Sequence, residues 1–400
     1  MIRHLLKLVW HRKRANALLI AEILFSFIVI FVVLTMAASL LMRWREPLGF
    51  KYENVWIMRV ASPNVPGMGD LEGDDPVRPV LDRLIRETKT FPQVVDAAAD
   101  DTPPYGNSTS EGVWRVKGKK ITLKRDSVTD DFANVMQMKV LRGRWFSPAD
   151  DGLLLRAVVI DTDLARELFG SRDPIGQLLD ERDPDGERVI GVVAPYRKDG
   201  EVAPTAQNML FIRKSLTKPN GFMPRNIVVR VRPGTSPEFE KTLANHLHAV
   251  EPNTTFQIRH LDRMRDKFLR TRVAPVLVLG IVSLFLISMV ALGLTGVLWQ
   301  TVTRRTREIG LRRAVGASGV HVRRQILGEV ALITTLALIV GSAIVMQLPL
   351  LGVFSLVQPA VFTIGIVAAL ATIYAITLLC GAYPSWLAST VEPAEALRYE

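Results

Sequence analysis

The sequence predicts an α-helical membrane protein with four transmembrane helices and a large α+β extracytoplasmic domain between helices one and two. Three observations predict it. Of 400 residues 48% are hydrophobic, giving a mean hydropathy of +0.21 that a purely soluble chain would not carry. The apolar excess is concentrated: residues 17 to 42 hold one charge, Glu22, while residues 273 to 303 and 330 to 391 hold none. Between the first two stretches lie residues 43 to 272, charged and mixed in pattern, too many for a loop and enough for one or two packed domains.

A hydrocarbon core of roughly 30 Å is crossed by about 20 apolar residues in a helix. Residues 17–42, 273–300, 328–348 and 360–383 meet that requirement. The last two are separated at Gln347 to Pro359, where Pro349, Gly352, Ser355, Gln358 and Pro359 break the apolar run and leave 349–359 as a short external loop. The first stretch follows Arg3, Lys7, Arg12, Lys13 and Arg14 and contains Ala37-Ala38-Ser39, features shared with signal peptides. Its length exceeds the roughly 7–15 residues of a signal core, so a retained helix is expected, preceded by a cytoplasmic amphipathic segment at 1–16.

Basic residues next to a span resist translocation. Five precede the first span, and seven (Arg304, Arg305, Arg307, Arg312, Arg313, Arg323 and Arg324) lie in the 301–327 link against one acid, Glu308. Both termini, including the tail 384–400, are therefore expected in the cytoplasm, with residues 43–272 outside. Trp10, Trp44, Trp299 and Trp386 fall at span ends, where an indole is stable at headgroup level. The net charge of +11 divides into +4 for residues 43–272 and +7 for the rest, which the membrane-flanking arginines explain without any nucleic acid. The single cysteine, Cys380, lies inside the last span and excludes an intrachain disulfide.

In the external region, β-type runs at Val55–Val60, Val113–Val116, Ala157–Ile160, Arg188–Val193 and Asn226–Val231 alternate with helical segments near 76–90, 161–169 and 236–250. Val80, Leu81, Leu84 and Ile85 form one face of the first helix; Phe239, Leu243, Leu247 and Val250 form one face of the last. Strand and helix units at both ends imply a subdomain whose middle, about 96–205, is an insertion. Candidate chemistry is sparse. His246 and His248 are two apart on a helix and face different ways, and the acidic run Glu181, Asp183, Asp185, Gly186 has Val192 where a calcium loop needs glutamate. No Gly-x-Ser-x-Gly, His-Glu-x-x-His or phosphate-binding Gly-x-x-x-x-Gly-Lys-Ser/Thr pattern occurs, so no catalytic residue, metal site or cofactor is expected in the chain.

The most distinctive stretch is Thr303 to Leu327, TRRTREIGLRRAVGASGVHVRRQIL, a basic run that meets a Gly-Ala-Ser-Gly turn and then a helix for which Ser318 is a candidate cap. Such an elbow beneath the membrane suits either docking into another protein's groove or anchoring to anionic headgroups.

Arg304 to Ser318 resembles the signature of the MacB/FtsX-type permeases, the membrane subunits of type VII ATP-binding-cassette systems: a basic stretch, Glu-Ile-Gly, more basic residues, then Gly-Ala. The resemblance extends to Gly49–Val60, Phe132–Asp150, Ala157–Leu179 and Tyr383–Arg398, nearly the whole chain. It implies a porter-like unit with an inserted second subdomain and a bacterial inner-membrane location. It also implies a second permease chain, as homodimer or heterodimer, clamped by two copies of a separate ABC ATPase subunit that binds ATP and Mg. Under it, Arg304, Arg305, Arg307, Glu308, Ile309, Gly310, Arg312, Arg313, Gly316, Ala317 and Ser318 form the ATPase contact, braced by Glu392, Pro393 and Arg398. The implied activity is mechanotransmission, in which ATP-driven motion of the external domain exports an antimicrobial, peptide or lipid-linked substrate, with a periplasmic adaptor and outer-membrane channel as further partners. Lipoprotein release, or transduction to a cell-wall hydrolase or sensor, are the alternatives. Glu22, about 10 Å along the helix from the preceding basic residues, is the candidate intramembrane site.

Overall fold

The computed structural model describes residues 13–61, 75–106, 110–116, 119–179, 186–203, 207–219, 221–304, 311, 315, 318–351 and 358–390. Two compact units are present: Met1–Met42 with Arg272–Glu400, and Arg43–Thr271.

In chain order the elements are α1 (Lys13–Trp44), β1 (Val55–Ala61), α2 (Val77–Lys89), β2 (Val94–Asp100), β3 (Glu111–Val116), β4 (Lys119–Val128), α3 (Phe132–Met136) and β5 (Val140–Gly143). They continue with β6 (Arg156–Asp161), α4 (Thr162–Phe169), β7 (Glu187–Val193), β8 (Met209–Arg213), β9 (Asn226–Val231), α5 (Glu238–Val250), β10 (Thr255–His260), α6 (Leu261–Arg304), α7 (Gly319–Val345) and α8 (Pro359–Thr390).

Four of these helices are long and apolar enough to cross a membrane: Leu19–Trp44, Leu261–Gln300, Gly319–Val345 and Pro359–Trp386. In hydrocarbon the backbone must satisfy its own hydrogen bonds, which is why the apolar sequence is all helix. The helices pack through residues that permit close approach. A Cβ on Gly341 would lie 2.7 Å from the buried ring of Phe27, and one on Gly365 would collide with Thr35. Between α7 and α8, Thr334 Oγ1 meets Thr377 Oγ1 at 3.2 Å and Thr335 Oγ1 meets Tyr374 Oη at 2.9 Å. Ile23, Phe27, Phe31, Leu294, Leu298, Ala337, Leu338 and Ile373 fill the interior of this bundle.

The second unit is built on one ten-stranded sheet ordered β10-β1-β9-β2-β4-β8-β6-β7-β5, with β3 hairpinned onto β4. The first four strands are antiparallel, and α2 and α5 cover one face of them. Strand periodicity explains the layers: Trp56, Met58 and Val60 of β1 join Ile227, Val229 and Val231 of β9 beneath Leu81, Leu84, Phe239 and Leu243. Their neighbours Val55, Ile57 and Val228 point through the sheet into a second core with Phe132, Tyr196 and Phe211. The remaining strands are mixed, β4 running parallel to β8 and β6 parallel to β7. Asp161 caps α4 by accepting the Leu164 N–H at 2.9 Å.

The two halves of the sheet meet at a single pair, Asp100 opposite Val128. The changeover therefore falls at Asp100 and Asn226 rather than at 96 and 205, because Met209–Arg213 is a strand that pairs with β4 and β6. The strands β2, β4, β5, β8 and β10 were not among the expected elements, and α6 starts twelve residues before the apolar run at 273, at Leu261.

Replacing Gly341 by alanine is expected to lower the thermal midpoint of the detergent-solubilised protein, since Phe27 has nowhere to go; Gly328→Ala, at a position open to 4 Å, leaves it unchanged or raises it slightly. Equal midpoints for Gly341→Ala and the parent protein would contradict this packing.

Candidate functional site

Of the residues expected to contact an ATPase, Arg305, Arg307, Glu308, Ile309, Gly310, Arg312, Arg313, Gly316 and Ala317 lie outside the described residues, as do the bracing residues Glu392, Pro393 and Arg398 and the acidic run Glu181, Asp183 and Asp185. Arg304 closes α6. Ser318 does what its type and position suggest: its backbone is extended (φ −69°, ψ 146°) and its Oγ accepts the His321 N–H at 3.3 Å, capping α7. Two residues that charge-based reasoning passed over stand between these points. Leu311 and Val315 are joined by a helical-turn hydrogen bond of 3.1 Å and are 56% and 83% exposed. Residues four apart in such a turn share a side, so Leu311 and Val315 form an apolar pair.

Glu22 packs against α6, where a Cβ on Gly293 would be 2.9 Å from its carboxylate. The absent side chain at 293 is what makes room for the acid. His246 and His248 serve different partners, Glu87 at 3.0 Å and the Thr254 carbonyl at 3.3 Å.

The most heavily wired place in the second unit is the loop after β7, around Arg197. This side chain is 1% exposed, and its Nη1 donates to the carbonyls of Arg43 (2.8 Å) and Glu46 (3.2 Å). Its Nη2 donates to the carbonyls of Glu201 (2.9 Å) and Ala203 (3.1 Å). Arg43 supplies one of the carbonyls that a helix leaves unpaired at its end, so a planar cation there caps α1 and complements its dipole. Arg43 returns the connection, donating to the Val202 carbonyl at 3.2 Å. Glu201 then reaches the first turns of α6, accepting from Arg265 Nε at 2.6 Å and from Tyr105 Oη at 3.3 Å. The Arg265 guanidinium lies 4.6 Å from the centre of the Tyr52 ring and 5.7 Å from that of Trp44.

Two glycines make this close meeting feasible. Gly49, at φ +83°, would drive a Cβ into the Pro195 carbonyl, and Gly200, at φ +73°, would drive one into the Tyr105 ring. Burial lowers Arg197 from its ordinary basicity and raises Tyr105 well above the phenol range, an effect that Glu201 adds to. The result is one loop that holds the end of α1 and the beginning of α6. The sequence gives little hint of it, since Tyr196-Arg197-Lys198-Asp199-Gly200-Glu201 has the composition of an exposed turn.

Four membrane-crossing helices, a sheet domain inserted between the first two and a basic elbow between the second and third define a multi-pass membrane protein of the permease type. Comparison with known families agrees. Residues 18–245 match the MacB-like periplasmic core domain and residues 280–393 match the FtsX-like permease C-terminal domain. The chain belongs to this MacB/FtsX-like permease family. It is 26% identical over 87% of its length to a macrolide export ATP-binding/permease protein MacB of Bdellovibrio bacteriovorus, of which it covers 53%. It is also 26% identical over 76% of its length to a probable syringafactin export ATP-binding/permease protein of Pseudomonas syringae, covering 48% of that protein. The chain thus spans about half the length of the curated relatives it matches. Among solved structures, the periplasmic region of MacB from Actinobacillus actinomycetemcomitans aligns at 18% identity and a TM-score of 0.37, covering 56% of this chain and 96% of that one.

Arg197→Lys keeps the charge but cannot serve four carbonyls through a fixed fork. It is expected to cost about 2 kcal/mol or more, each orphaned buried carbonyl costing roughly 1–3 kcal/mol less what the lysine recovers. Chemical denaturation of the purified protein, followed by Trp fluorescence, measures it; a cost below about 0.5 kcal/mol would remove the joint's structural role.

Proposed function

We propose that the chain is the inner-membrane permease component of an ATP-binding-cassette system, with both termini in the cytoplasm. It converts nucleotide-driven motion at the 304–318 elbow into movement of its external domain. ATP and Mg are bound by an ATPase, not by this chain's residues, and the permease works as a pair with a second copy or a related chain. The observation that carries this reading is the family match over both halves of the sequence.

The proposed route follows from the residues. Glu308, Ile309, Gly310 and the Gly316 to Ser318 turn seat the elbow in the ATPase, with Leu311 and Val315 as its apolar contact and Glu392, Pro393 and Arg398 as a brace. Displacement passes along α1 and α6, whose outer ends share the Arg197–Glu201 loop, so that the external domain follows both helices together. Coupling of this kind needs an element with two arrangements that both sites bias. Export of an antimicrobial, peptide or lipid-linked compound is favoured over lipoprotein release or signalling, because the relatives named above are export proteins. Among the described residues the apolar helices pair hydroxyls, Thr334 with Thr377 and Thr335 with Tyr374, but gather no cluster of ionisable groups, which suits a machine that handles cargo outside the hydrocarbon.

Two substitutions separate the steps. Glu308→Ala with Gly316→Val is expected to abolish co-purification with the partner ATPase and any stimulation of its hydrolysis. Glu201→Gln, which weakens the hold on Arg265, is expected to leave co-purification and ATPase stimulation intact while reducing export-dependent resistance. Unaltered complex formation by the first variant, or full resistance with the second, overturns the corresponding step.

A further inference from the structure

The junction between the two halves of the external sheet contains a pair of carboxyl groups that the coupling mechanism does not use. Asp100, the last residue of β2, and Asp126, two residues before the end of β4, are 0% and 1% exposed. They are held side by side by one donor: the Thr102 N–H lies 2.9 Å from Asp100 Oδ1 and 3.2 Å from Asp126 Oδ1, and the Thr102 hydroxyl donates to the latter at 2.8 Å. The Oδ2 atoms of both are buried and have no donor among the described residues, and the two carboxyls converge on the one Thr102 N–H. Both flank the one backbone pair, Asp100 with Val128, that joins β2 to β4.

The groups facing the pair come from several elements. Lys198, 1% exposed on the loop after β7, acts on both carboxyls and on Asp101. Tyr196, on the same loop, buries its hydroxyl nearby with no hydrogen-bond partner among the described residues. Lys214, after β8, and Arg225, before β9, act on Asp101. Three carboxyls thus compete for cations of which only Lys198 acts on all of them.

Two buried carboxylates this close cannot both ionise without large repulsion, whereas an acid and a carboxylate sharing one proton form a strong hydrogen bond. We propose that Asp100 and Asp126 are a proton-held latch between the two halves of the external sheet. With one proton shared, the halves stay docked; when that proton leaves for bulk water, two facing anions remain and the junction loosens. Rising pH on the outer side is the signal, and the latch acts independently of whether the elbow binds an ATPase. Burial is the main cause that pushes Asp126 up to about 6 and Asp100 well above the carboxylate range, with Asp126 adding to the latter. The folded protein therefore keeps protons that the unfolded chain has released. The stabilisation is complete below the ordinary aspartate range and is lost as pH rises through about 6 and beyond.

The test uses the full chain in lipid nanodiscs, in an Asp161→Asn background. Asp161 is also buried and pushed up to about 7, and asparagine retains the oxygen that caps α4. Hydrogen exchange of residues 94–100 and 119–128, corrected for intrinsic rate, is followed from about pH 5 to about pH 8. The expected result is a loss of protection by roughly tenfold, because the series starts only about one pH unit below the value of about 6 to which Asp126 is pushed, and its disappearance in Asp126→Asn. Protection independent of pH, or an unchanged pH dependence in Asp126→Asn, overturns the latch. Should that variant fail to fold, the infrared difference spectrum of the parent decides: a buried protonated-carboxyl stretch lost between the two pH values supports the latch, and its absence refutes it.

Discussion

A buried guanidinium that satisfies four backbone carbonyls is the interaction that gathers Arg43, Glu46, Glu201 and Ala203 of the sheet unit around one loop. Taking an arginine out of water costs several kcal/mol, and the cost is offset only if its donors find acceptors of good geometry. Arg197 does this with carbonyls from the end of α1 and from its own loop, so the loop cannot leave the helix end without stranding either a charge or several carbonyls. Glu201, which supplies one of those carbonyls through its backbone, uses its side chain on Arg265 at the start of α6. The chain's entry into the domain and its exit are thereby referred to one short segment.

Beyond that segment the domain is less evenly bonded. On one face of the sheet the apolar core is shared, since Val55, Ile57, Ala98 and Val228 from the first four strands pack with Val128, Val159 and Phe211 from the rest. On the other face two separate clusters cover the two halves. Backbone pairing between the halves is reduced to Asp100 with Val128. A shared core of non-directional contacts tolerates small rotations better than a continuous ladder of hydrogen bonds does. The directional elements at the seam are then the Asp101 N–H with the Ser127 carbonyl, the Thr129 N–H with the Ala99 carbonyl, and the polar groups Asp100, Asp126 and Thr102 beside them.

The legible parts of this architecture are those in which one periodicity dominates. Asn226–Val231 reads as a strand because it is nearly all β-branched, and Val77–Lys89 and Glu238–Val250 read as helices because each carries one apolar face. Three of the five strands that escaped break the pattern for a physical reason; Val140–Gly143 and Met209–Arg213 are simply short. Val94–Asp100 is alanine-rich, and alanine favours helix until tertiary pairing overrides it. Lys119–Val128 hides Lys124 and Asp126 in positions where a strand would be expected to bury apolar residues. Thr255–His260 is an edge strand with an alternating, half-polar face. The early start of α6 was invisible for the opposite reason: Leu261 to Arg272 is too charged to count as membrane sequence, yet nothing in it breaks a helix. The Arg197 joint needs residues 43, 46, 201 and 265 in one place, and only the fold supplies that.

The basic elbow at 304–318 illustrates how composition and structure constrain a site differently. Arginines beside a span fit an anionic headgroup layer as well as they fit a protein groove, so charge alone leaves both open. Leu311 and Val315 bear on the choice. A helical turn that only anchored to headgroups would have no reason to hold an aliphatic pair in water, because exposed apolar area carries a cost of roughly 25 cal/mol per Å². Insertion into lipid would lower that cost but would pull the flanking arginines toward hydrocarbon. A groove with an apolar floor and acidic rims would satisfy both kinds of residue at once, which is what the proposed ATPase contact asks of its partner.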